Sequence, residues 1–587
     1  MRSLHRHTAA ATAVAAAVAL VVSGCAGSGK AAQSAESASS GAAGSSPGSG
    51  ASPAASGSGS ASGASAGGVK QGGTLTIQGD SGNPTLVENF NPLVPTELGG
   101  TRLIYEPLAI ASTVDGTFTQ FLAASQKFTS PTTLEFTLRD GVKWSDGKPF
   151  SAADVTFTFD LLKKYPALDT TGVWTQLSKV ESKGNIVTAT FKAPNVPFES
   201  TVAQVPIVPE HLWSSGLPAD PSKFANTKPV GTGPFTLSSF APTSYTLTKN
   251  ADYWNAANIA PSQVDYPAQS SNQSTNQLNV ASGKFDWSYN FLPNVQQTYI
   301  SRGANRSYWF PPGGTIGLFL NLTKEPYNDP NFRQGISHLL DRDTIAKKAV
   351  NGYLGAASTT GLILPNLEKW LDPSIPDKGM ITQDAKKAGD YFAKAGYTMS
   401  GGQLTKDGKQ ADLTITLPNN YSDWVAAANE VKAELSAGGI NVTLDEPSAA
   451  QYTTKIQSGN FDGAFGGFGG TGVPYNDFNN ALNSSFAAPI GTATVNNFER
   501  FKSPETDAAL ASLAAATDEA AQQAATNKIQ QQMFTQLPII PLYYGGSWGL
   551  FQTTHFTGWP SAEDPYTLPT PYNQMSLLVV SRLKAVG

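Results

Sequence analysis

Leu138-Arg139-Asp140-Gly141-Val142-Lys143-Trp144-Ser145-Asp146-Gly147-Lys148-Pro149-Phe150-Ser151-Ala152-Ala153-Asp154-Val155 is the stretch on which the reading of this chain turns. It starts at the end of an alternating apolar and polar run, Leu134 to Leu138, as a half-buried strand does. Asp146-Gly147 suits a tight turn, and Ser151 with Asp154 three residues on has the pattern of a capping box. Val155, Phe159 and Leu162 then fall on one helical face. On physical grounds alone this is a strand, a turn and a helix entrance, with a structural role.

The same two periods recur on either side. Thr74 to Ile77, Ile186 to Phe191, Tyr245 to Thr248 and Leu413 to Leu417 alternate as strands. Asp329-Pro330 is a helix start with Phe332, Ile336, Leu339 and Leu340 as its buried stripe. Val425, Ala428, Val431 and Leu435 form another stripe, stopped by Gly438-Gly439 before the strand-like Ile440-Asn441-Val442. Helix, glycine stop and strand in that order indicate an α/β lobe.

Composition limits the function. The 587 residues carry 39 Lys and Arg against 44 Asp and Glu, with no basic run of the kind nucleic acid demands. No catalytic constellation is visible. Gly24 to Lys30 has phosphate-loop spacing but is followed by Ala31, and no strand precedes it. Gly467-Phe468-Gly469-Gly470-Thr471-Gly472 has dinucleotide spacing, but Pro474 is expected to deny it a helix N-terminus. Gly545-Gly546-Ser547-Trp548-Gly549 has the spacing of a nucleophile elbow, yet Glu563 and Asp564 follow the last histidine, His555, so the order of acid and base is wrong. With one cysteine and no HExxH, neither zinc nor any cofactor is expected.

That cysteine is Cys25. Arg2 and Arg6 precede an apolar run from Thr8 to Val22, the length of a signal-peptide core and short for a membrane span. Val22-Ser23-Gly24-Cys25 resembles a bacterial lipobox, which makes residues 1–25 a lipoprotein signal and Cys25 the lipidated first residue; an ordinary secretory signal is the alternative. Residues 26–68 are Ala, Gly, Ser and Pro apart from Lys30, Gln33 and Glu36, a linker without side chains to bury. As a coil it spans on the order of 35 Å, and roughly 140 Å when fully extended.

From Gly72 onward, successive segments resemble the extracytoplasmic solute-binding proteins of family 5, the peptide-binding lipoproteins of ABC importers. They are Gly72 to Ile77, Asn91-Pro92-Leu93, Ile104 to Leu108, the stretch quoted above, Pro209 to Trp213, Pro229 to Phe235, Asn250 to Trp254, Leu340-Asp341-Arg342 and Pro538 to Tyr544. The resemblance implies an α/β bilobal fold of the periplasmic-binding-protein type (class II) with an extra inserted domain and a two-crossing hinge. Lobe I would comprise 72–112, 225–310 and 540–587, the extra domain 113–224, and lobe II 311–539, with crossings near Pro311-Pro312 and Pro538.

It further implies a monomeric receptor, not an enzyme. Such a receptor would be held outside the cell membrane by lipidated Cys25 and would deliver an oligopeptide to ABC permease and ATPase subunits. In peptide-binding members the loop matching Phe465 to Phe478 carries an acid for the ligand's amino terminus; here the acid before Tyr475 is missing, and Asp477 or another acid would have to substitute. An oligosaccharide ligand is the alternative, and a peptide-sensing receptor or a secreted hydrolase using Ser547 are further ones. The residues expected to line the cleft are Trp287, Tyr289, Asn290, Asn420, Tyr421, Trp424, Phe468, Tyr475, Asp477, Tyr543, Tyr544 and Trp548, each of which core packing would also explain.

Overall fold

The computed structural model describes residues 70–79 and 84–586. The expected leader, Cys25 and the linker lie outside the described residues.

Lobe I is built on a sheet ordered Thr74–Thr76, Gln263–Pro267, Ser244–Lys249, Phe235–Ala241, in which only the first pair is parallel. A second sheet, Trp287–Tyr289, Gly549–Gln552, Arg306–Trp309, adjoins it through a bridge from Ile77 to Trp287. The inserted unit is an antiparallel sheet, Ala123–Ser130, Thr133–Leu138, Ile186–Phe191, Leu177–Lys183, covered by the helix Ala152–Lys164. Ser151 and Asp154 close the expected capping box on that helix. The insertion has no core of its own: Leu134, Phe136, Trp144 and Phe159 belong to one apolar cluster with Leu75, Ile77 and Tyr245. Lobe I and the insertion are therefore one packed body.

The quoted stretch and its sister motifs meet inside that body. Ser145 N donates to Gly231 O at 2.9 Å, and Gly233 N to Ile104 O at 2.8 Å. A Cβ on Gly231 would lie 1.9 Å from Ile104 O, so only glycine admits the approach. Glu106 accepts from Tyr253 Oη at 2.8 Å and Trp254 Nε1 at 3.0 Å, while the Arg139 guanidinium lies 3.8 Å from the centre of the Trp254 ring. His211 contacts Asp146 at 2.7 Å across the turn. Segments scattered over more than a hundred residues are thus one scaffold knot.

Lobe II is a five-stranded sheet ordered Asn441–Asp445, Asp412–Thr416, Gly463–Phe468, Pro312–Leu320, Ile539–Gly546. The helices Pro330–Leu339, Arg342–Val350 and Ser422–Ala437 pack on one face, and Pro474–Leu482, Pro504–Ala515 and Glu519–Gln536 on the other. Buried Arg342 holds the last strand in place, donating to Pro541 O at 2.8 Å, Ser337 O at 2.9 Å and Ser337 Oγ at 2.6 Å.

Two expectations are corrected. Residues 539–546 are the edge strand of the lobe II sheet, paired from Phe319↔Ile539 to Pro312↔Gly546, so the second crossing is at Gly546-Ser547 and lobe I resumes there instead of at 540. The run Ile539 to Tyr544 is buried throughout, as a strand paired into that sheet is. Pro474 does not prevent a helix; it opens one, at the first helical position, where its missing N–H costs nothing.

Candidate functional site

The register of the lobe II sheet decides where a ligand can lie. Thr315 pairs with both Phe468 and Tyr544, Thr416 with Ala464, and Pro312 with Gly546. The carboxyl ends of strands Asp412–Thr416, Gly463–Phe468 and Ile539–Gly546 therefore share one edge with both crossings to lobe I. Asp412–Thr416 is flanked by the two strands that follow it in the chain, one on each side, and the crevice outside such a switch point is where open α/β sheets hold ligands.

Lobe I closes over the same edge. Ser547 N donates to Pro311 O at 2.9 Å. Gly472, at φ 77°, presses so closely on lobe I that a Cβ there would stand 2.5 Å from Ser112 O, and one on Gly116 would stand 2.9 Å from Gly472 O. At the hinge Trp548 packs edge-on to Phe291 and Phe310, with ring centres 5.0 and 5.1 Å away, and Phe310 in turn meets Tyr353 at 5.2 Å. Trp548 is a hinge packing residue.

On the lobe I wall stand Tyr289 and Asn290. Asn290 N donates to Trp548 O at 3.1 Å, and its Nδ2 donates to Gln78 Oε1, whose own Nε2 reaches Gln269 Oε1 at 3.3 Å. Tyr289 meets the ring of Tyr572 at 5.4 Å, and burial raises its hydroxyl pKa, opposed by Tyr572, Ser547 and the Trp548 backbone.

The lobe II wall is the loop and first helical turn after Asp412–Thr416. Tyr421 and Trp424 lie edge to face at 5.2 Å, with Trp424 6.3 Å from Phe465. Asn420 Oδ1, Asp423 Oδ1, Trp424 Nε1 and Tyr543 Oη are buried there without a hydrogen-bond partner. Burial pushes the Asp423 carboxyl up to about 6, with the amides of Trp424 and Asp423 opposing, and its charge acts on the hydroxyls of Tyr421 and Tyr543.

The second loop of this edge is held by its own acid. Asp477 accepts from Thr471 Oγ1 at 2.7 Å, Thr471 N at 3.1 Å and Gly470 N at 3.3 Å. A strand, a glycine loop and a helix do follow one another here, but the anion at the loop amides is Asp477 itself, which leaves them none to offer a pyrophosphate.

Of the residues expected in the cleft, Asn420, Tyr421, Trp424 and Tyr543 lie at the carboxyl edge of the lobe II sheet, with Trp424 and Tyr543 buried there, and Tyr289 and Asn290 lie beside the second crossing. Trp287 is fully buried, its indole donating to Pro569 O at 3.2 Å. Phe468 packs into the far lobe II core against Phe319, and Tyr544 is spent on Ser358 N, Leu364 N and Leu362 O. Tyr475 lines an interlobe cavity of about 320 Å³ with Phe118, Glu199 and Trp370, at the Gly116–Gly472 contact. Gln78, Tyr572 and Asp423 carried no sequence signal; Asp423 reads as an ordinary acid of a first helical turn.

Ser547 has no base beside it. Among the described residues His211 contacts Asp146, His338 stacks on Tyr391, and His555 contacts Asp286. No group of three or more His, Cys, Asp or Glu fit to hold a metal ion occurs among the described residues.

Residues 117–489 match the model described as bacterial extracellular solute-binding proteins, family 5 Middle. The probable peptide-binding protein YejA of Agrobacterium fabrum is 24% identical over 533 residues, 81% of this chain and 85% of that one. The periplasmic oligopeptide-binding protein OppA of Salmonella typhimurium is 26% identical over 442 residues, 70% and 76% of the two chains. Among solved structures, a periplasmic oligopeptide-binding protein of an oligopeptide ABC transporter from Thermotoga maritima superimposes with a TM-score of 0.79 at 26% identity, covering 87% of this chain and 99% of that one. Its mannohexaose-bound form gives 0.70 at 26% identity over 87% and 98%.

Proposed function

The chain belongs to the bacterial extracellular solute-binding proteins, family 5, and on that premise we propose that it captures oligopeptides between its lobes and presents them to an ABC permease from a lipid anchor at Cys25. The observation that carries the capture reading is the shared edge: both crossings, both ligand-facing loops and the Gly116–Gly472 closure lie at the carboxyl ends of the lobe II strands. A solute touched by both walls adds contacts that only the closed form provides, and by that difference it stabilises closure. A permease then has a distinct state to recognise.

Oligosaccharide is the second reading. It is favoured by Asp477, whose carboxylate is already occupied by Thr471 and Gly470, and by the mannohexaose complex of the Thermotoga maritima protein. Calorimetric titration of the protein with mixed tetrapeptides and with manno-oligosaccharides separates the two. Heat from peptides alone is expected, and heat from sugars alone would replace peptide by sugar.

A further inference from the structure

The hinge carries a link between the lobes that neither strand crossing supplies. Tyr353 follows the lobe II helix Arg342–Val350, yet its hydroxyl bonds to lobe I: it accepts from Val295 N at 2.8 Å and donates to Leu292 O at 3.0 Å. Its ring stands in the hinge aromatic group, with centres 5.2 Å from Phe310, 6.2 Å from Phe291 and 6.5 Å from Trp548. Phe310 directly precedes the first crossing and Trp548 directly follows the second, so Tyr353 lies beside both.

Each end of the link is fastened to its own lobe. After Tyr353 the chain is stitched to the strand Ile539–Gly546: Tyr544 N donates to Gly355 O at 3.2 Å, Ala357 N donates to Leu542 O at 3.1 Å, and Ala356 bridges Tyr543. Leu292 follows the strand Trp287–Tyr289, which is tied to the first strand of lobe I. Those ties run from Gln78 N to Trp287 O and from Asp286 N to Thr76 O, both at 2.9 Å. Leu292 and Val295 are buried in one apolar cluster with Trp548, which shields the two Tyr353 hydrogen bonds in part.

Such a link responds to rotation of the lobes. A turn of roughly 20° displaces a group ~6 Å from the axis by ~2 Å, more than a hydrogen bond tolerates. Both Tyr353 hydrogen bonds are made in the arrangement in which Gly472 touches lobe I at Ser112 and Gly116. Contact at the mouth and the link at the hinge therefore belong to one state.

Resting on the reading that solute is captured by lobe closure, we propose that Tyr353 is a positioning residue for capture. Its hydroxyl pins the closed arrangement from the hinge side and sets solute affinity through the balance of open and closed forms, without touching solute. Because the pin lies within the protein, it acts on the free receptor as well as on the loaded one.

X-ray scattering and calorimetry of Tyr353→Phe test it, with Tyr308→Phe as the control. Phenylalanine keeps the ring and removes only the hydroxyl. Tyr308 also stands at the hinge, 4.8 Å from Phe310, but its hydroxyl accepts from Gln296 Nε2 at 3.3 Å within lobe I. Tyr353→Phe is expected to bind a mixed tetrapeptide pool about 10-fold more weakly, as the loss of two neutral hydrogen bonds from the closed form requires. Without peptide its radius of gyration is expected to exceed that of the wild type, and at saturation to match it. Tyr308→Phe is expected to follow the wild type throughout. An unliganded radius unchanged by Tyr353→Phe, or an equal change in Tyr308→Phe, overturns the role of Tyr353 and leaves solute capture standing. If the wild type binds no tetrapeptide, the peptide reading falls, and the unliganded radii of Tyr353→Phe and wild type still decide for or against the pin.

Discussion

The Thr471 hydroxyl donates to the Asp477 carboxylate at 2.7 Å, and this hydrogen bond ties the glycine loop after strand Gly463–Phe468 to the helix that follows it. Two backbone amides, Gly470 N and Thr471 N, depend on the same acid. Asp477→Ala leaves part-buried donors unmatched and is expected to cost about 2–4 kcal/mol of stability. Asp477→Asn, which keeps an acceptor, should cost less. Thermal unfolding of the two variants checks the order, and equal melting temperatures would show that the turn holds itself.

Closure depends on a close approach at a glycine. A methyl on Gly472 would meet Ser112 O at 2.5 Å, where the lobes touch. Gly472→Ala is expected to favour the open form, with a larger radius of gyration in X-ray scattering and at least a ~10-fold weaker ligand affinity. Gly491→Ala provides the control, since Gly491 also has a positive φ, 88°, but nothing within 4 Å of an added Cβ. Equal behaviour of the two variants would assign the effect to backbone strain.

Glu499 sets a pH dependence. It is fully buried, no other residue hydrogen-bonds to either carboxyl oxygen, and burial pushes its pKa from 4.5 up to about 8, against the amide of its own residue and the charges of Arg500 and Arg333. The folded state holds this proton more tightly than the unfolded chain does. Its contribution is therefore full below about pH 4.5 and is lost as pH rises towards 8, by ~1.4 kcal/mol per pH unit at the steepest. Glu499→Gln should match the wild type at pH 4.5 and exceed it at pH 8 in urea unfolding. A constant difference between the two proteins across that range would refute the assignment.

Cys25 lies outside the described residues, and its role rests on Val22-Ser23-Gly24-Cys25. Cys25→Ser is expected to move the protein from the membrane fraction to the soluble one. Retention of the variant in membranes would require another anchor.

The scaffold is largely legible in the sequence because its signals are local. Ser151 and Asp154 declare a helix start within four residues, and Gly438-Gly439 declares a stop. Pro474 misleads because the same residue breaks a helix interior and begins a helix, and only its position in the turn distinguishes the two. Residues 539–546 join lobe II against expectation because an apolar run states that it is buried without stating against which sheet.

The site is legible only in part. Trp287 and Tyr289 stand two residues apart on one short strand, yet Trp287 is sealed beneath Pro569 while Tyr289 reaches the rim beside Tyr572. Asp423 and Asp477 are both acids in the first turn of a lobe II helix, one with an unpartnered oxygen and one saturated. The sequence alone determined the elements, their order and the family, since capping, periodicity and turn chemistry act between residues a few positions apart. Tertiary structure decided which carboxylate keeps an unpartnered oxygen, how deeply each aromatic is buried and where the lobes touch, because burial and hydrogen-bond satisfaction depend on groups brought together from distant parts of the chain.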